Sequence, residues 1–183
     1  MKTILFIFLF SCSVNKSFAQ DQIYKPFKLD LAIGVLIPTG KTFLDQRFSF
    51  SVEPKYNLSD LFSMGLRLEI DPYSNFSGTT DSLKVSSVFS YLLTSDYYIN
   101  NPKNIRPFFG IGIGLFRQTV SSTGYPETKT KSGKPGIETR FGLEWKHLTA
   151  ALEYNVTFFE EEKKMNYVNI KFGTFLWGGR KNK

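Results

Sequence analysis

Apolar and polar side chains alternate one by one through most of the chain beyond residue 26. A period of two is that of a β-strand whose faces meet different surroundings. In the first stretch Phe27, Leu29, Leu31, Ile33, Val35 and Ile37 share one face, and Lys28, Asp30, Ala32 and Gly34 share the other. That run is long for a soluble strand and matches the ~9–11 residues a tilted strand needs to cross a bilayer. The pattern recurs in Phe48 to Tyr56, Phe62 to Ile70 and Leu83 to Tyr97, the last noisier because Val88 and Leu92 fall on its polar side. It returns in Phe109 to Leu115, Ile137 to Trp145, Leu148 to Val156 and Val168 to Leu176. Eight strands are therefore predicted.

The connections alternate in length. Longer ones are expected at Pro38 to Gln46, Asp71 to Ser82, Ser121 to Lys134 and Phe159 to Lys164. Tight turns are expected at Asn57 to Asp60, around Asn100 to Asn104, and at Lys146-His147. Segregation of long and short connections is the habit of an up-and-down membrane barrel, with short turns in the periplasm and long loops outside. Aromatic residues cluster by level as well. Phe27, Tyr56, Phe62, Tyr97, Phe109 and Trp145 fall towards the short turns, where amphipathic rings suit a membrane interface. Phe48, Ile70 and Phe158 make a thinner girdle at the other side.

The start of the chain sets the compartment. Lys2 gives a positive leader, Ile4 to Phe10 a short apolar run, and Ser17-Phe18-Ala19 small residues where a signal peptidase cuts. Residues 1–19 are expected to be a signal peptide, and residues 20–183 the barrel domain. Leu9-Phe10-Ser11-Cys12 loosely resembles a lipoprotein box, which would lipidate Cys12, but bulky Phe10 fits it badly. Cleavage after Ala19 leaves no cysteine, so no disulfide or thiol chemistry. No later stretch is apolar for long enough to be a membrane helix, and a chain without one crosses a membrane only as a closed barrel.

The net charge of +7 is scattered, with acidic residues among the basic ones. No basic stripe forms, so nucleic acid is not an expected partner. A single histidine, His147, rules out a histidine-cluster metal site. Gly110-Ile111-Gly112-Ile113-Gly114 has the wrong spacing for a dinucleotide loop, and Lys131-Ser132-Gly133-Lys134 lacks the upstream glycine of a phosphate loop. No cofactor is expected.

The chain resembles the small outer-membrane β-barrel family of OmpA/OmpX-like architecture, in its Bacteroidetes-type form. The resemblance rests on Phe18-Ala19-Gln20, on Arg106-Pro107-Phe108-Phe109-Gly110-Ile111-Gly112-Ile113-Gly114, and on Asn166-Tyr167-Val168-Asn169-Ile170-Lys171-Phe172-Gly173. It implies an all-β fold, an eight-stranded antiparallel up-and-down transmembrane barrel. It further implies an outer-membrane location, contact with outer-membrane lipid and lipopolysaccharide, and help from the barrel assembly machinery. A monomer is expected. One departure is that residues Gly178 to Lys183 trail beyond Trp177, where such barrels usually end on an aromatic.

In such a barrel the polar face must point inward. The expected lumen set is Lys28, Asp30, Glu53, Lys55, Arg67, Glu69, Lys84, Asp96, Glu138, Arg140, Glu144, Glu153 and Lys171. These carry both signs and are expected to neutralise one another, since buried charge is tolerable only when paired. Gly110, Gly112 and Gly114 would relieve crowding among them. The expected role is structural or interactive, with loops displayed at the surface, foremost Ser121 to Lys134 with Tyr125, Lys129 and Lys131. Two alternatives stand beside it. One is a soluble lipocalin-like carrier whose apolar faces line a cavity. The other is a lipid A-modifying barrel enzyme, disfavoured because His147, the one candidate base, falls in the shortest turn.

Overall fold

In the computed structural model, residues 22–39, 47–75, 84–99, 105–122, 129–130, 133–158 and 166–181 are described. Among them there is no helix; every regular element is a strand. The signal segment with Cys12, the tight turn expected around Asn100 to Asn104, and the tips of the long loops lie outside the described residues.

The strands are β1 (Phe27–Pro38), β2 (Arg47–Asn57), β3 (Phe62–Asn75), β4 (Lys84–Tyr98), β5 (Ile105–Ser122), a two-residue β6 (Lys129–Thr130), β7 (Lys134–Trp145), β8 (Leu148–Thr157) and β9 (Tyr167–Leu176). Setting β6 aside, eight long strands pair antiparallel, each with its neighbours in the chain, and β1 closes the ring on β9. The closing seam sets Ile33 opposite Phe172 and Leu31 opposite Thr174, with outward residues facing outward residues. A one-residue slip would turn every apolar side chain into the lumen, so the alternation itself enforces this register. Closure leaves the eight-stranded ring itself without an open edge, which is the condition for backbone in hydrocarbon.

Two strands in particular run further than the alternation foretold, and β7 starts three residues earlier, at Lys134. β3 continues through Asp71 to Asn75, which the sequence assigned to a loop, and β5 spans 18 residues, from Ile105 to Ser122. With β4 at 15 residues, the β3–β4–β5 wall exceeds what a bilayer crossing requires and stands above the other strands at the loop end. Asn75 pairs with Lys84, and Lys84 with Ser122, at its crest. β6 adds a short ribbon, Thr130 and Lys129 pairing with Thr119 and Val120. Polar composition hid the loop-end extensions: residues 71–75 and 117–122 hold few apolar side chains, so no alternation of apolar and polar positions marks them.

The segment before β1 and the segment after β9 form a further ribbon at the short-turn end. Lys25 N donates to Gly179 O at 2.9 Å and Lys181 N to Ile23 O at 2.8 Å, around a Tyr24–Arg180 bridge. The residues beyond Trp177 therefore have a structural partner. Trp177 and Gly179 take positive φ to turn the tail into it, at 59° and 91°.

Candidate functional site: the charged lumen and its mouths

Every residue expected in the lumen whose side chain is described is buried; the side chain of Lys84 lies outside the described set. Three layers of charge follow one another along the barrel. Nearest the short turns, Lys28 pairs with Glu144 and stands 3.6 Å from Asp30, while Lys55 lies 2.7 Å from Asp30 and 2.9 Å from Asp96. In the middle, Arg140 donates through Nε to Asp96 at 2.7 Å and through both terminal nitrogens to Glu53. Arg67 shares Glu53 at 2.7 Å and reaches Glu138 at 3.0 Å and Glu153 across the lumen. Towards the loops, Lys171 lies 2.6 Å from Glu69 and 2.8 Å from Glu153.

Gly110 makes room for the central pair. A Cβ there would run into Asp96 Oδ1 and Arg140 Nε, as the glycine run suggested. The filling is tight, since a cavity of about 20 Å³ beside Glu53, Lys55 and Arg67 is room for one water.

Among the described residues six buried cations, with Arg106 added to the expected set, face eight buried carboxylates, with Asp71 added. Neutral donors serve the excess. Tyr167 Oη donates to Asp71 at 2.9 Å, and Asn169 Nδ2 and Ser49 Oγ donate to Glu69 at 3.0 and 3.2 Å. Glu69, Glu138 and Glu153 bring oxygens within 4.8 Å of one another, a grouping that could hold a cation. Arg67 and Lys171 already supply that charge.

Above the ion pairs the lumen turns apolar. Leu36, Val88, Leu92, Phe116 and Tyr167 form a buried cluster on the loop side. The irregularity of β4 in the sequence is thus a real inward apolar layer, with Leu92 at 0 % exposure.

At the opposite mouth sits Arg106, which the alternation did not single out because its strand seemed to begin at Phe109. Its guanidinium is held between the rings of Tyr24 and Tyr98, at 4.0 and 3.6 Å from their centroids, and stands 3.6 Å from Glu144. It also donates to the carbonyl of Asp60. The Asp60 carboxylate accepts the backbone N–H groups of Ile23 and Tyr24 at 3.0 and 3.1 Å, tying the leading segment over the β2–β3 turn. His147 lies in the two-residue β7–β8 turn, its Nδ1 3.2 Å from Phe175 O.

The outer surface is the inverse of the lumen. Leu66, Ile113, Phe141 and Phe172 are each more than half exposed. The aromatic level near the short turns is present, with Trp177 added and stacked 6.1 Å from Phe27, and with Phe62, Tyr97 and Phe109 directly opposite one another across β3, β4 and β5. A soluble carrier would turn these faces around a ligand. Here they point out, and the lipocalin-like alternative is overturned.

No known family profile matches the sequence, and no curated protein does. Solved structures do match in fold. Ail, the attachment invasion locus protein of Yersinia pestis, crystallised with the heparin analogue sucrose octasulfate, superposes with a TM-score of 0.54 at 10% identity, over 85% of this chain and 100% of its own. Neisserial surface protein A superposes with a TM-score of 0.55 at 13% identity, over 86% of this chain and 99% of its own. With its closed antiparallel ring of eight long strands, this chain therefore has the fold of the small eight-stranded outer-membrane β-barrels.

Proposed function

We propose that the chain is an integral, non-catalytic outer-membrane β-barrel, plugged by its ion-pair core, whose role is structural or interactive through the loops at its tall end. The observation that carries this is the inversion of polarity: paired charges fill the inside and large apolar side chains cover the outside. In water such a surface would aggregate; in lipid it is the required one. Residues 1–19 act as the export signal, the barrel assembly machinery inserts the mature chain, and it works as a monomer. The short turns face the periplasm.

The emergent β3–β4–β5 wall supports a surface role, because it carries the chain beyond the hydrocarbon. Lys129, Lys131 and Lys134 lie along the connection that leaves it. They suit anionic lipopolysaccharide, and the heparin analogue bound by Ail is a polyanion of the same sign.

The test is heat-modifiability in a detergent extract of outer membranes. A mobility difference between boiled and unboiled protein, with membrane fractionation, is expected. Recovery from the soluble periplasm without detergent would overturn the assignment. Planar-bilayer recording should show little steady conductance, as a filled lumen requires.

A further inference from the structure

The outer wall is not evenly filled. On β7, β8 and β9 the small side chain of Ala150 stands in register between Leu143 and Phe172, and with Phe141, Leu152 and Ile170 it borders a hollow of about 210 Å³. A second hollow of about 240 Å³ continues it towards the loops, past the shared Phe141 and Leu152 to the small Thr139. Trp145 and Thr139 lie six residues apart on β7. That is roughly 20 Å along an extended strand, and about 15 Å of depth at the usual strand tilt. The trough therefore spans one leaflet of a hydrocarbon core roughly 30 Å thick.

Its short-turn end is basic. Lys25, Lys146, Arg180 and Lys181 are exposed at that end of the barrel. Among the described residues the one acidic side chain that is not buried is Asp60, and it is taken up by the N–H groups of Ile23 and Tyr24. Lys146 stands at the head of the trough, its Nζ 5.5 Å from the centroid of the outward Trp145 ring. Arg180 borders the same mouth cavity as Lys146, which places a second cation near the turn. The φ of Lys146 is 55°, a left-handed value that asparagine or glycine takes at least cost in a two-residue hairpin turn. Turn geometry thus does not account for a lysine there; a cation at the membrane interface does.

We propose that the β7–β8–β9 wall holds one anionic phospholipid, with an acyl chain in the trough and the phosphate at Lys146. A zwitterionic headgroup carries its own cation to the same place and gains less. A second copy of the chain, inserted the same way up, would bring its own basic end against this one, so lipid is the better complement. In the orientation proposed above, on which only the choice of leaflet rests, the lipid belongs to the periplasmic leaflet.

Trp145 and Trp177 are the two tryptophans of the chain, so Trp177→Phe leaves Trp145 as a reporter beside the site. The full barrel with that substitution is inserted in phosphatidylcholine vesicles, and part of the lipid is replaced by acyl-brominated phosphatidylglycerol or acyl-brominated phosphatidylcholine. Bromine quenches the indole on contact. Half-quenching is expected at about fivefold lower mole fraction of the anionic lipid, the factor one interfacial cation contributes. Lys146→Asn, which suits the turn, should abolish that difference and leave the urea midpoint unchanged or higher, whereas Lys146→Arg should keep it. Ala150→Phe fills the hollow with the charge in place and should reduce it. Equal quenching by the two lipids, or a difference unchanged in Lys146→Asn, would overturn the proposal. An unchanged difference in Ala150→Phe would overturn the trough as the seat of the chain. Quenching that fades as the barrel is crowded in the vesicle, with a dimer captured by crosslinking, would give the wall to a second copy and overturn the lipid. Quenching by neither lipid would overturn membrane insertion itself, a failure distinct from equal quenching by both.

Discussion

Arg140 crosses the full width of the barrel from β7 to grip Glu53 on β2, its two terminal nitrogens donating to the two carboxylate oxygens at 2.9 and 2.8 Å. These strands lie opposite each other in the ring, so the fork bridges the lumen. Arg140→Met removes it and leaves Glu53 and Asp96 short of a cation in a dry interior. Breaking a buried pair in this way costs roughly 3–5 kcal/mol. The double variant Glu53→Met/Arg140→Met should lose clearly less than the sum of the single losses, because Arg67 retains Glu138 and Glu153 and Asp96 retains Lys55. Urea midpoints followed by the gel-mobility shift give all three values, and strict additivity would show that the two residues are not coupled.

Gly142 and Phe108 face each other on β7 and β5, and a Cβ at Gly142 would enter the buried ring of Phe108. Gly142→Leu should therefore overpack the short-turn end at a cost of about 1–3 kcal/mol. Phe108→Ala in the same chain vacates the ring's space but not the 2.7 Å approach to Ala150 O, so Gly142→Leu should cost less in that background than in the wild-type chain. A leucine equally harmful in both backgrounds would locate the damage in the strand and not in the ring.

What the sequence disclosed, and what it hid, divides along physical lines. A period of two is a local property, so which residues face inward could be read strand by strand; Lys28, Glu53, Arg67 and Arg140 all lie where that period puts them. Which inward residues meet depends on closure and stagger. The Arg140–Glu53 contact joins residues 87 positions apart, and no single strand carries a trace of it. Arg106 was within reach, since it keeps the inward phase of Gly110 and Gly112, but Pro107 beside it looks like a turn residue. Val88 and Leu92 looked like errors because a polar lumen was assumed to be polar throughout its height.

Asp60 holds the leading segment in place by accepting from Ile23 and Tyr24, and through Tyr24 it supports the stack on Arg106. Asp60→Asn weakens two charge-assisted bonds at the surface, worth about 1–2 kcal/mol locally, while leaving the lumen pairs intact. Amide exchange in micelles should quicken at Lys25 and Lys181, whose N–H groups close the terminal ribbon, and remain unchanged at Leu31 and Leu152 in the strands. Uniform quickening would mean that the segment is part of the global fold and not a separately opening strap.

The outer face gives the sharpest test of where the protein resides. Leu66 is 59 % exposed on β3, midway between Phe62 at one girdle and Ile70 at the other. In a bilayer, Leu66→Arg places a charge at the hydrocarbon centre and should cost about 2–4 kcal/mol, whereas Phe62→Arg at the interface should cost about 0–1 kcal/mol. On a water-facing surface the same leucine would be replaced at almost no cost, because exposed positions without special contacts tolerate change. Folding titrations in lipid vesicles supply both numbers. A steep loss at Leu66 with a shallow one at Phe62 is the depth profile of a membrane-spanning wall. Equal, small losses at both would return the apolar face to water, and the plugged lumen would then need an explanation other than insertion.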